Sequence, residues 1–115
     1  MSVKLTYAML FVANMEQSVR FYRDMLGLRL KFQSPEWSEF ITGDTTLALH
    51  PASLKNPAGT VRLGFGVAEM RDFYDEMNEK GISFTQPPVM EEEEGATLQA
   101  RFMDPNGSEI SVSGT

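Results

Sequence analysis

VANMEQSVRFYRDMLGLRL, residues 12 to 30, is the stretch that decides the fold. Met15, Val19, Tyr22 and Leu26 recur at helical spacing, and Phe21 and Met25 widen the apolar stripe, so the middle reads as an amphipathic helix. Asn14 is placed to cap its start, with Gln17 three residues on, as a capping box requires. Gly27 follows the last apolar residue, where a helix commonly ends in a left-handed conformation. The extended run Leu28 to Phe32 comes directly after. The order is strand, helix, sharp stop, strand.

Working outward, Leu5 to Val12 reads as a strand, with Thr6, Ala8, Leu10 and Val12 on one face and Leu5, Tyr7, Met9 and Phe11 on the other. After the helix and the Leu28–Phe32 strand, Ser34-Pro35 breaks the chain. Trp37 to Ile41 and Thr46 to His50 are two further strands, separated at Gly43-Asp44. Pro51 to Gly59 (PASLKNPAG) is turn-rich and reads as a linker. The same order then begins again. Val61 to Val67 is a strand, with Leu63, Phe65 and Val67 on one face. Ala68 to Lys80 is a helix with Met70, Phe73, Tyr74 and Met77 as its stripe, ended by Gly81. Ile82 to Thr85 is extended, Pro87-Pro88 breaks the chain, Leu98 to Met103 is a strand, Asp104-Pro105-Asn106-Gly107 is a turn, and Glu109 to Ser113 is the last strand. Val12-Ala13 recurs as Val67-Ala68, Phe21-Tyr22 as Phe73-Tyr74, and Gly27 as Gly81. The chain is therefore an internal repeat of two βαβββ units. The expected fold is α+β: two tandem modules forming a curved, partly closed mixed sheet around a cavity, with the helices outside. Module one is residues 1–50, the linker 51–59 and module two 60–115, within a single domain.

The chain has 115 residues, 42% of them hydrophobic, enough for a buried core. No apolar run approaches the roughly 18 residues of a membrane helix. The N-terminus lacks a basic region followed by an apolar block, so no signal peptide is expected. With no cysteine, disulfides, thiolate metal sites and cysteine nucleophiles are excluded, which fits a cytoplasmic protein. A net charge of −6 argues against nucleic acid, which needs a basic face. It keeps a small protein soluble, and it would favour a cationic ligand.

VANMEQSVRFYRDMLGLRL resembles the first-module signature of the glyoxalase, bleomycin-resistance and extradiol dioxygenase (vicinal oxygen chelate) superfamily. GFGVAEM leading into the second helix, Gly81 before a short strand, and ARFMDPNGSEISV, similar to that family's closing DPxG hairpin, extend the resemblance over almost the whole chain. It implies paired βαβββ modules, homodimers, and in the catalytic members a divalent metal held by one His, Glu or Gln from each of four strands. Those positions correspond here to Tyr7, about Ala48, Arg62 and Ser111, none a usual ligand: alanine offers no donor and a guanidinium repels a cation. His50 and Glu109 share faces with Ala48 and Ser111 and could hold a metal only weakly, since catalytic metals want about three protein ligands. No metal and no cofactor are expected.

The faces turned from the helices would line the cavity. They carry Tyr7, Met9, Phe11, Trp37, Glu39, Ile41, Ala48, His50, Arg62, Gln99, Arg101, Met103, Glu109 and Ser111, with Gly64 and Gly66 leaving room. This apolar, aromatic wall with a few polar groups suits a small molecule. The expected ligand contacts are Tyr7, Met9, Trp37, His50, Arg62, Arg101, Glu109 and Ser111. Trp37 fits a stacking platform and equally a dimer interface. Arg62 fits an ion pair with Glu39 or Glu109, and also a clamp for an anionic group. Tyr7 fits a hydrogen-bond donor or plain packing. Met90 to Gly95, with four consecutive glutamates, reads as a solvated loop that could draw a cation to the cavity mouth. Three functions follow: a metal-independent binder of a small molecule in a homodimer, a metal-dependent lyase or dioxygenase with non-standard ligands, or a metal-free enzyme using Tyr7, His50 or Glu109 as acid or base. The first agrees best with the missing ligand set. No membrane partner is expected.

Overall fold

The computed structural model describes residues 3–90 and 97–115. Among the described residues the chain forms two compact units: Thr6–Val61, and Arg62–Thr115 together with residues 3–5. The elements are β1 (Val3–Val12), α1 (Met15–Arg20) continued by a π-helical turn (Phe21–Met25), β2 (Arg29–Gln33), β3 (Ser38–Ile41), β4 (Thr46–Pro51), β5 (Val61–Val67), α2 (Met70–Glu79), β6 (Phe84–Met90), β7 (Leu98–Met103) and β8 (Glu109–Gly114). The protein is α+β, and no helix among the described residues is long and apolar enough to cross a membrane.

In the first unit the strand order is β2-β3-β4-β1. β1 and β4 run parallel, and β3 lies antiparallel to both β4 and β2. In the second the order is β5-β8-β7-β6, with β5 parallel to β8 and β7 antiparallel to both its neighbours. Each unit therefore builds the same βαβββ connectivity that the repeat predicts.

In each unit the helix covers one face of that unit's own strands. In the first unit Val12, Val19, Phe40 and Leu49 form the core, joined by Leu10, Met15, Tyr22, Leu28, Leu30 and Leu47. In the second, Val67, Met70, Phe73, Ala100 and Val112 do so, joined by Phe65, Met77, Phe84, Leu98 and Phe102. The period-two alternation assigned these faces correctly, because a strand buried on one side must place every second residue there. Ser38 is fully buried among them, its hydroxyl donating to the Met15 thioether at 3.2 Å and so tying β3 to α1.

Both helices end at the glycines that mark them, and the first starts at its marked cap, with differences elsewhere. Asn14 accepts a hydrogen bond from the Gln17 amide at 2.9 Å, which is half of the expected capping box. The predicted single α-helix from Met15 to Leu26 instead widens at Phe21, where the Leu26 amide reaches back to the Phe21 carbonyl at 3.0 Å, the π pattern. Gly27 then closes it with φ 82°, and the Leu28 amide bonds the Tyr22 carbonyl. The second helix begins at Met70, not Ala68, with Glu69 as an N-cap that makes no side-chain capping bond. It ends at Gly81, φ 93°, where the Ile82 amide bonds Met77 and the Gly81 amide bonds Asn78, a Schellman closure.

Three boundaries are corrected. Pro87-Pro88 does not break the chain but lies within β6. That strand is the outermost of its unit, and its register slips between Gln86 and Val89, which is where a strand tolerates residues without an N–H. Pro51 belongs to β4, opposite Val12, rather than to the linker. The remaining linker is held down, since Phe11 bonds both Gly59 and Thr60 through its backbone. Trp37 precedes β3, fixed by a turn in which its amide donates to Ser34 Oγ at 3.0 Å and its carbonyl accepts from the Ser34 amide and hydroxyl. The acidic run Glu91 to Glu94, with Gly95, lies outside the described residues.

Candidate functional site

Each unit has a second face, turned away from its helix. In the first unit strand pairing sorts this face into rows. His50 on β4 stands opposite Phe11 on β1, and the β3–β4 register places Trp37 on its other side. The rings meet edge to face, with centroids 5.3 Å apart for Phe11–His50 and 6.1 Å for Trp37–His50, the favoured aromatic geometry. The next row holds Glu39, Ala48 and Met9; the one after, Ile41, Thr46 and Tyr7. Met9, Phe11 and Ala48 are buried as a cluster against which Tyr7, Trp37 and Ala52 pack.

His50 Nδ1 lies 2.9 Å from the Pro51 carbonyl. A carbonyl only accepts, so Nδ1 carries the proton of the neutral ring, and Nε2 keeps its lone pair as an acceptor. Four of the expected contact residues, Tyr7, Met9, Trp37 and His50, are thus brought onto one face.

The other four, Arg62, Arg101, Glu109 and Ser111, share the free face of the second unit. Arg62 Nη2 contacts Glu109 Oε1 at 2.8 Å, with both side chains largely buried. Arg101 Nη1 approaches the same oxygen at 3.8 Å, and the Thr85 hydroxyl donates to Oε2 at 3.4 Å. Of the sequence alternatives for Arg62, the ion pair with Glu109 is therefore formed. The Glu109 Oε1 contacts are ionic rather than aligned hydrogen bonds, and Arg101 Nε is buried with no hydrogen-bond partner. Ser111 is 3% exposed and lies between Gly64 on β5 and Arg101 on β7, so the row beside the Arg101 guanidinium carries little side-chain bulk. The orphaned Nε was not visible in the sequence; the signal it left was a second arginine within β7, three residues before the closing turn, on the same face as Arg62.

The residues do not fit a divalent metal. Arg62 occupies one of the four strand positions and is bound to the carboxylate that could have served. Ala48 has no donor, and the residue paired with Tyr7 is Thr46. His50 and Glu109 are the two nearest to usual ligands, and Glu109 is engaged by Arg62. Among the described residues no group of three or more His, Cys, Asp or Glu is arranged to hold a metal ion.

The family model of the Glyoxalase/Bleomycin resistance protein/Dioxygenase superfamily matches residues 4–112. An uncharacterized protein of Bacillus subtilis (strain 168), YraH, is 29% identical, over 96% of this chain and 97% of its own. The fold is shared with a member of the same superfamily from Vibrio splendidus 12B01, at TM-score 0.78 and 16% identity over 99% of this chain and 100% of that one. A hypothetical protein from Bacillus halodurans C-125 aligns at TM-score 0.78 and 17% identity, over 100% and 96% of the two chains.

Proposed function

The chain belongs to the Glyoxalase/Bleomycin resistance protein/Dioxygenase superfamily, and from that premise we propose that it is a metal-independent binder of a small molecule, working as a homodimer. The observation that carries this reading is the Trp37–His50–Phe11 row. The half-buried rings of Trp37 and His50, backed by the buried Phe11, suit a flat, largely apolar ligand that donates one hydrogen bond to the imidazole. Tyr7 extends the same wall, while Met9, expected as a contact, is buried behind it. The free face of the second unit carries Arg62, Arg101 and Glu109, with Ser111 buried beside Arg101. The missing donor set at Tyr7, Ala48, Arg62 and Ser111 weighs against the alternative of a metal-dependent lyase or dioxygenase. The homodimer rests on family membership, and a cytoplasmic setting on the cysteine-free composition.

Fluorescence of Trp37, the only tryptophan, tests the binding reading directly. Titration with flat aromatic cations, amides and carboxylates should change its emission saturably, and Trp37→Phe should abolish the signal while His50→Ala weakens the binding. An emission unmoved across the panel overturns the reading. In parallel, stoichiometric metal in the purified protein, or a melting temperature that falls on addition of a chelator, would favour the metal-dependent alternative. Light scattering at the same concentrations reports the dimer.

A further inference from the structure

We propose that Arg101, with Arg62 and Glu109 beside it, forms a seat for a carboxylate, so that the ligand of this protein carries that group. The proposal deepens, and rests on, the binding role above. Two guanidiniums meet one carboxylate here. Arg62, at 2.8 Å, neutralises Glu109. Arg101, at 3.8 Å, is beyond hydrogen-bond reach of it, so one positive charge stays unmatched among these three side chains. Its Nε is buried and without a partner among the described residues, and a buried donor left unpaired is costly unless something completes it.

Three further features suit an incoming ligand. The Arg101 side chain is one-third exposed, so the guanidinium can be reached from solvent while Nε is not hydrated. The strand row beside it carries the small residues Ser111 and Gly64, so no long side chain from that row competes for the guanidinium. A guanidinium presents its N–H groups in a planar fork that matches the two oxygens of a carboxylate. A single negative charge balances the unmatched guanidinium; a phosphate dianion would leave excess negative charge next to Glu109. The chain as a whole carries −6, so a positive spot on this face is local and not part of a general basic surface.

The smallest probe is acetate. In ¹H–¹⁵N spectra of the arginine Nε–H groups, the resonance lost in Arg101→Lys identifies Arg101. Acetate should shift it saturably, on the order of millimolar, while chloride and acetamide at equal concentration leave it in place. In calorimetry, benzoate should bind about tenfold more tightly than benzamide, and Arg101→Gln should erase that advantage without changing benzamide binding. The proposal is overturned if chloride reproduces the acetate shift, if benzoate and benzamide bind alike, or if inorganic phosphate outcompetes acetate. Because the acetate titration uses the unmodified protein, a variant that failed to fold would not remove the test. Benzamide that changes Trp37 emission while acetate leaves Arg101 unmoved would sink the carboxylate seat and leave the binding role standing. Silence of both probes would sink both.

Discussion

On the helix side both units bury an apolar core of the same kind, and on the other side their chemistry differs. Val19 and Phe40 in the first are matched by Met70, Phe73 and Val112 in the second, all at most 3% exposed. On the free faces, the first unit sets Trp37, His50 and Phe11 in a neutral aromatic row, and the second sets Arg62 and Arg101 around the Glu109 carboxylate, next to Gly64 and Ser111. A packed interior constrains volume and shape tightly. A face not required to cover a helix is free to diverge, and its chemistry is where function is written.

The largest expected effect tests the likeness of the cores. Phe40→Ala and Phe73→Ala should each lower unfolding free energy by about 3–5 kcal/mol in urea denaturation, since both remove a buried aromatic ring. A cost confined to one of them would break the equivalence. Next comes the contrast of the free faces. Glu109→Gln leaves two guanidiniums without their counter-ion and should cost about 1–3 kcal/mol. His50→Ala, which loses edge-to-face contacts in a neutral row, should cost about 0.5–1.5 kcal/mol. If His50→Ala were the more damaging, the charged face would not be the more strongly coupled one.

The two helix starts differ more finely. Asn14 caps α1 through its side chain, so Asn14→Ala should cost about 1 kcal/mol. Glu69 makes no such bond, and Glu69→Ala should leave the melting temperature nearly unchanged. Equal losses would show that side-chain capping does not separate these helices. The smallest effect belongs to the π-helical turn, where Asp24, bonded to Arg23 at 2.8 Å and fully exposed, is held below the usual carboxylate range chiefly by that hydrogen bond. A depressed carboxylate contributes stability above its unfolded pKa and loses it as pH falls through the folded one. The melting curves of wild type and Asp24→Asn should therefore differ slightly near neutral pH, converge in strong acid, and converge at neutral pH in high salt.

The scaffold was legible because its signals are local. Alternation assigned the faces of β1, β5 and β7, Asn14 and Gly27 bounded the first helix, and the recurrence of Phe21-Tyr22 at Phe73-Tyr74 revealed the second unit. The site was legible as a set of residues and not as an arrangement. That His50 falls between Phe11 and Trp37 depends on a parallel β1–β4 register and an antiparallel β3–β4 register together, and neither is a property of any one stretch. Whether Arg62 pairs with Glu39 or Glu109 could not be ranked for the same reason. The widening at Phe21 leaves no mark in the sequence, because apolar spacing at 15, 19, 22 and 26 suits an ordinary helix. The prolines of β6 read as a break because the rule against proline in strands weakens at a margin, and sequence does not say which strand is marginal.

That margin has a consequence for how the chain survives crowding. Strand edges invite other chains to add on, which is the first step toward fibrils. Pro87 and Pro88 delete two consecutive amide hydrogens from β6, and the slip beside them bends the remaining row out of register. A stray strand arriving there finds an interrupted template. The exposed Val89 and Met90 next to it can remain apolar without becoming a seed for aggregation.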